Sequence, residues 1–157
     1  MTHQLHHPAT TDILSKLNDE CAKFRAFVVL LEDEQRTLLG QRPEDLIPLA
    51  EAKVQLADTL SALSRERQHL LSEQTRDMAE WLARHEPKGT SLWQEIRQLA
   101  MQAQRLNQTN GELIQIKLRY NQQALGVLYG AAQNASGLYG PDGQTNLPSS
   151  GRMLGSV

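Results

Sequence analysis

The chain has 157 residues, 39% hydrophobic and 22% charged, the size and composition of one globular domain. Its 16 basic and 18 acidic groups leave a formal charge of −2, which argues against generic nucleic-acid binding, since neutralising phosphates needs a concentrated positive face. A single cysteine, Cys21, excludes an internal disulfide framework. No secretory pattern opens the chain, and no run approaches the roughly 18 apolar residues of a membrane span, so a cytoplasmic protein is expected.

Aromatics are only 4%, against 25 Leu and 16 Gln, so the core must be aliphatic and helix is favoured over sheet. Neither Pro nor Gly occurs from Ala9 to Leu39. Within that stretch Leu14, Leu17, Cys21, Phe24, Val28, Leu31, Gln35 and Leu38 step alternately by three and four, the spacing of a heptad seam. Thr11 or Asp12 is the expected N-cap, and Gly40 the expected left-handed stop.

A second helix repeats this grammar through Leu46, Leu49, Lys53, Leu56, Leu60, Leu63, Arg67 and Leu70. Pro43 and Pro48 suggest a short helical turn at 43–47, with the main helix starting near Pro48. The helix is expected to reach about Leu71, with a possible continuation through Met78, Trp81 and Leu82 before Pro87 and Gly89 break it.

Thr90 or Ser91 is the expected cap of a third long helix. Leu92, Ile96, Leu99, Ala103, Leu106, Asn110, Leu113, Lys117, Tyr120, Ala124 and Val127 keep the same spacing. Its second half is broader than one seam requires: Leu113, Ile114, Ile116, Leu118, Tyr120, Leu125, Val127 and Leu128 wrap much of the circumference. Gly111 and Gly126 weaken it by roughly 1 kcal/mol each. Two readings are open, a helix buried on several sides within a bundle, or a surface that receives a partner helix.

Six of the ten glycines lie from Gly130 onward, with Pro141 and Pro148 and almost no charge. This stretch reads as a tail too polar and Gly-rich to order itself. The expected organisation is therefore a frayed start at 1–10, a helical domain at 11–129 and a tail at 130–157. The fold class is all-α: an elongated antiparallel bundle of three long helices, about 40–60 Å long at 1.5 Å rise per residue.

No catalytic constellation stands out, and no cofactor or metal is expected. Glu66 and His69 have the spacing of one half of a di-iron motif, but there is no second copy. His3, His6 and His7 sit at the terminus. Cys21 lies on a seam and reads as a small hydrophobe. Gly137, Gly140 and Gly143 lack the strand and helix that frame a phosphate loop. Arg65, Arg67, Arg97, Arg105, Lys117 and Arg119 read as a solvated mixed face.

Three elements then carry a family resemblance. Leu106-Asn-Gln-Thr-Asn-Gly111 matches a pattern LNQxNG, Arg119-Tyr-Asn-Gln-Gln-Ala-Leu-Gly-Val-Leu128 a pattern RxNQQALxVL, and Leu138-Tyr-Gly-Pro-Asp-Gly-Gln-Thr145 a pattern LYGxDGQT. In this order the chain resembles the FlgN family of flagellar type III export chaperones. A looser match reaches upstream through 31–36 and 51–54.

The resemblance implies an ATP-independent cytoplasmic chaperone and not an enzyme. Its implied partners are the C-terminal helices of the hook–filament junction proteins FlgK and FlgL and the cytoplasmic domain of the export-gate protein FlhA. Together with the broad apolar face it places cargo on Leu113, Ile114, Ile116, Leu118, Tyr120, Leu125, Val127 and Leu128, with Gln122 and Gln123 setting register. It places gate docking on Leu138 and Tyr139, presented by a turn of Gly140, Pro141, Asp142 and Gly143. Two other classes are weighed beside it: a structural coiled-coil adaptor that holds partners permanently, and a ferritin-like metalloenzyme.

Overall fold

The computed structural model describes residues 9–71 and 77–137, and the side chains of residues 12–71 and 77–134. Four α-helices account for most of them: α1 (Ala9–Leu39), α2 (Leu46–Leu71), α3 (Met78–His85) and α4 (Thr90–Gly137). Two single 3-10 turns, Pro43–Asp45 and Pro87–Gly89, lead into α2 and α4. Both turns open on proline, whose fixed φ suits a first helical position and whose missing N–H is not needed there. No strand occurs among the described residues.

The helix ends correct several expectations. The first helix already starts at Ala9, so Thr11 and Asp12 lie inside it, and Asp12 faces the positive end of the helix dipole rather than capping it. Gly40 does close α1, its N–H donating to the carbonyls of Arg36 and Thr37 at 3.0 and 3.1 Å, but its φ is not left-handed. Helix α3 is separate from α2, with the Asp77 side chain accepting from the Ala79 N–H at 3.0 Å in an N-cap. Thr90 is not a cap: it has helical φ and ψ of −62° and −44°, because the 3-10 turn before it winds straight into α4. The last helix also passes through Gly130 to Gly137, carried by Ala131, Ala132 and a hydrogen bond from Gln133 to the Tyr129 hydroxyl at 2.8 Å.

The chain divides into two units, Met1–Leu113 and Ile114–Val157. In the first, α1 is the organising helix. Its contacts with α2 pair Lys16 with Glu66, Glu20 with Arg67 and Glu34 with Lys53, so the two helices run antiparallel. Those with α4 pair Arg25 with Glu95 and Leu31 with Asn110, so these two run parallel. The up-down-up order follows from the connections, since α2 returns the chain beside the start of α1 and α3 relaunches it there.

The core lies in two clusters. Ile13, Leu17 and Cys21 of α1 pack with Leu71, Met78, Trp81, Leu82 and Ile96. Val28 and Leu31 pack with Ala103, and Leu99 joins both groups. At the end of α2 it is Leu71, not the expected Leu70, that enters the core, at 6% against 41% exposure. Gly89 is buried where the last helix begins, and a Cβ there would stand 2.7 Å from Leu82 Cδ2. That close approach is a packing reason for glycine at this position.

Lys53 and Arg67 interrupt the apolar seam of α2, and the fold explains both. Each meets a buried carboxylate two heptads from the other: Glu34, 7% exposed, and Glu20, 2% exposed. Arg67 is therefore not part of a solvated face. Its guanidinium donates to both oxygens of Glu20 at 2.9 and 3.2 Å and to Ser64 Oγ at 3.1 Å. It also lies 4.6 Å from the centre of the Trp93 ring. The planar fork suits bidentate pairing and stacking at once, so one side chain ties α1, α2 and α4 together.

Candidate partner-binding helix

Up to Leu113, α4 behaves as an ordinary bundle helix. Ile96, Ala103 and Asn110 are buried, while Leu92, Leu99, Leu106 and Leu113 are half-buried. Asn110 is fully buried on this seam and donates from Nδ2 to the Leu31 carbonyl at 2.9 Å, while its Oδ1 has no partner. A polar residue at such a position fixes which residues of the two helices face each other, because any slip would strand the amide against apolar neighbours.

From Ile114 to Asn134 every residue of α4 is exposed. Of the two readings of the broad apolar face, burial on several sides finds no support for this stretch among the described residues. Ile114, Ile116 and Leu118 are 43–55% exposed, and Tyr120, Leu125, Val127 and Leu128 are 65–73% exposed. Apolar side chains scattered singly on a surface need no explanation, but this many on one helix form a patch of the kind that marks an interaction site. Gln122 and Gln123 are exposed beside them.

Tyr129, 68% exposed, belongs to the same surface and was missed in the sequence, although it follows Leu125 by one helical turn. Leu113 is the one residue of the expected set that the bundle half-covers. Leu138, Tyr139, Gly140, Pro141, Asp142 and Gly143 lie outside the described residues.

The other constellations resolve as structural. Glu66 is exposed and pairs with Lys16 at 2.9 Å. Among the described residues no three His, Cys, Asp or Glu side chains gather where an ion could be held, while His3, His6 and His7 lie outside them. Cys21 is 1% exposed, and burial, followed by the neighbouring Glu95 charge, pushes its thiol above the ordinary range. A thiol held neutral in this way is a poor nucleophile. The Glu95 carboxyl is held low by the hydrogen bond from Arg25, whose Nε lies 2.8 Å away. Arg65, Arg97, Arg105, Lys117 and Arg119 are exposed, as a mixed solvated face requires. No helix among the described residues is long and apolar enough to cross a membrane.

Comparison with the curated proteins and with the solved structures finds no match. The FlgN protein family model, in contrast, matches residues 1–147, nearly the whole chain, including all of the first unit, most of the second and all three sequence elements that carry the resemblance. The helical architecture fits that family. The chain belongs to the FlgN family of flagellar export chaperones.

Proposed function

We propose that this chaperone holds the C-terminal helices of the hook–filament junction proteins FlgK and FlgL on residues 114–134 of α4, in the cytoplasm, and hands them to the cytoplasmic domain of the export-gate protein FlhA. The observation that carries this reading is the uninterrupted exposure of an apolar helical surface from Ile114 to Asn134. Junction proteins waiting for export present amphipathic helices whose apolar faces lack their filament neighbours. A complementary helix face covers them by coiled-coil-like packing and needs no chemistry.

Release at the gate requires that the complex not be too tight. No described residue covers 114–134 to support their helical state, and Gly126 among them adds roughly 1 kcal/mol against helix. Binding must therefore supply the ordering free energy, which lowers net affinity for a given contact area. The segment from Leu138 to Gly143 is the proposed gate-docking element, supported by its paired apolar side chains before a Gly-Pro-Asp-Gly turn.

Calorimetric titration with the C-terminal segment of FlgK tests the assignment. Leu118→Asp or Leu125→Asp should weaken binding by about tenfold or more while leaving the thermal midpoint of the bundle in place. Unchanged affinity in both variants would move the cargo site elsewhere. Tyr139→Ala should keep cargo affinity and lose association with the gate domain; the reverse pattern would exchange the two roles.

A further inference from the structure

The exposed half of α4 is apolar around far more of its circumference than one partner can cover. At about 100° per residue, Ile114, Leu118, Leu125 and Tyr129 fall within about 60° of each other. Ile116, Tyr120 and Val127 fall within about 40° on nearly the opposite side. Leu128 and the small residues Ala124 and Ala131 lie between the two ridges together with Lys117 and Asn121, so the two apolar ridges and the mixed strip between them span roughly 220°. Gln115, Arg119, Gln122, Gly126 and Gln133 occupy the remaining side. A helix that packs on one neighbour shows a stripe nearer 100° wide.

The charges narrow the choice of occupant. Residues 114–134 contain Lys117 and Arg119 and no Asp or Glu. Two copies of residues 114–134 would contribute four cations and no anion, the nearest acidic side chain being Glu112 just before the segment. A partner with acidic side chains flanking its apolar seam complements the surface where a second copy does not.

On the reading that this helix is the cargo site, we infer that residues 114–134 serve as the central helix of a three-helix assembly. Both outer helices come from one cargo chain, one seated on the ridge of Ile114, Leu118 and Leu125, the other on the ridge of Ile116, Tyr120 and Val127. Acidic side chains of the cargo face Lys117 and Arg119.

The test uses the full-length chaperone and purified full-length FlgK. One variant carries Leu118→Gln with Leu125→Gln, the other Ile116→Gln with Val127→Gln. Gln keeps or improves helix propensity at each position, and the side chains are exposed, so folding is preserved and circular dichroism verifies it. Each variant should bind about tenfold or more weakly, Gln115→Ala should bind within about twofold of the parent, and light scattering should give a one-to-one complex. Lys117→Glu with Arg119→Glu should also weaken binding and invert its salt response.

Loss confined to one ridge overturns the two-helix assembly in favour of a single bound helix. A two-to-two complex, or a cargo-free dimer broken by either ridge variant, gives one ridge to a second copy and likewise overturns it. Parental affinity in both ridge variants strikes instead at the cargo site itself, and so separates the failure of that reading from the failure of this one.

Discussion

Residues 90–113 and 114–134 belong to the same helix and share one vocabulary of Leu, Ile, Gln and Asn, yet they differ in every physical respect that matters for function. In the first stretch the apolar side chains at heptad spacing are buried or half-buried against α1, and a buried Asn110 pins the register. In the second, the same spacing continues through Tyr120, Ala124 and Val127, and all of it is exposed. Apolar periodicity therefore states which face requires cover. It does not state which molecule supplies the cover. The stability of the fold resides in residues whose partners are in the chain, and the proposed binding surface in residues that no described residue covers.

The comparison makes its largest prediction where the bundle is tied together. Arg67→Ala removes the bidentate partner of Glu20, which is 2% exposed, and leaves a buried charge without it. A loss of about 3–5 kcal/mol is expected in denaturant unfolding. Leu31→Ala, at a fully buried site, should cost about 2–5 kcal/mol. Leu118→Ala, half-exposed on α4, should stay within about 0.5 kcal/mol. A Leu118 effect as large as that at Leu31 would show that the second stretch is packed like the first.

A smaller effect, of opposite sign, is expected at the end of the packed stretch. Asn110→Leu removes an amide whose Oδ1 has no partner and fills the seam with apolar volume. It should raise stability by about 1 kcal/mol, read as a higher thermal midpoint, at the expense of register specificity. A lower midpoint would show that the bond to the Leu31 carbonyl outweighs the orphaned oxygen.

The smallest effect belongs to the pair of Arg25 and Glu95 on the rim of the bundle. Because Arg25 lowers the Glu95 carboxyl, the pair contributes stability above the ordinary carboxylate range and loses it as pH falls through the lowered value. The gap in thermal midpoint between the parent and Arg25→Gln should therefore be widest near neutral pH, close on acidification and shrink in high salt. A gap that grew toward acid would contradict the assigned sign.

Much of this was legible in the residues themselves. The helical class, the seam of the first helix and the punctuation at Pro43, Pro87 and Gly89 all follow from local rules, because backbone geometry and turn chemistry act over a few residues. The oversized apolar face of 113–128 was legible for the same reason, as an excess over what one stripe needs. The interruptions at Lys53 and Arg67 were visible in the seam, but their cause was not. Glu20 and Glu34 lie off the apolar seam of α1, and only the antiparallel pairing brings them opposite.

The amino-acid sequence alone thus determined that the chain is helical, that Pro43, Pro87 and Gly89 punctuate it, which faces are apolar and, through three short elements, its family. The tertiary structure decided which of those faces are satisfied within the chain. It chose Leu71 over Leu70, turned two seam-breaking cations into buried ion pairs, and left residues 114–134 without cover from any described residue. The reason is one of range. Periodicity is set by neighbours three and four positions away, whereas burial depends on which distant segment arrives, and for the last half of α4 no described segment of this chain does.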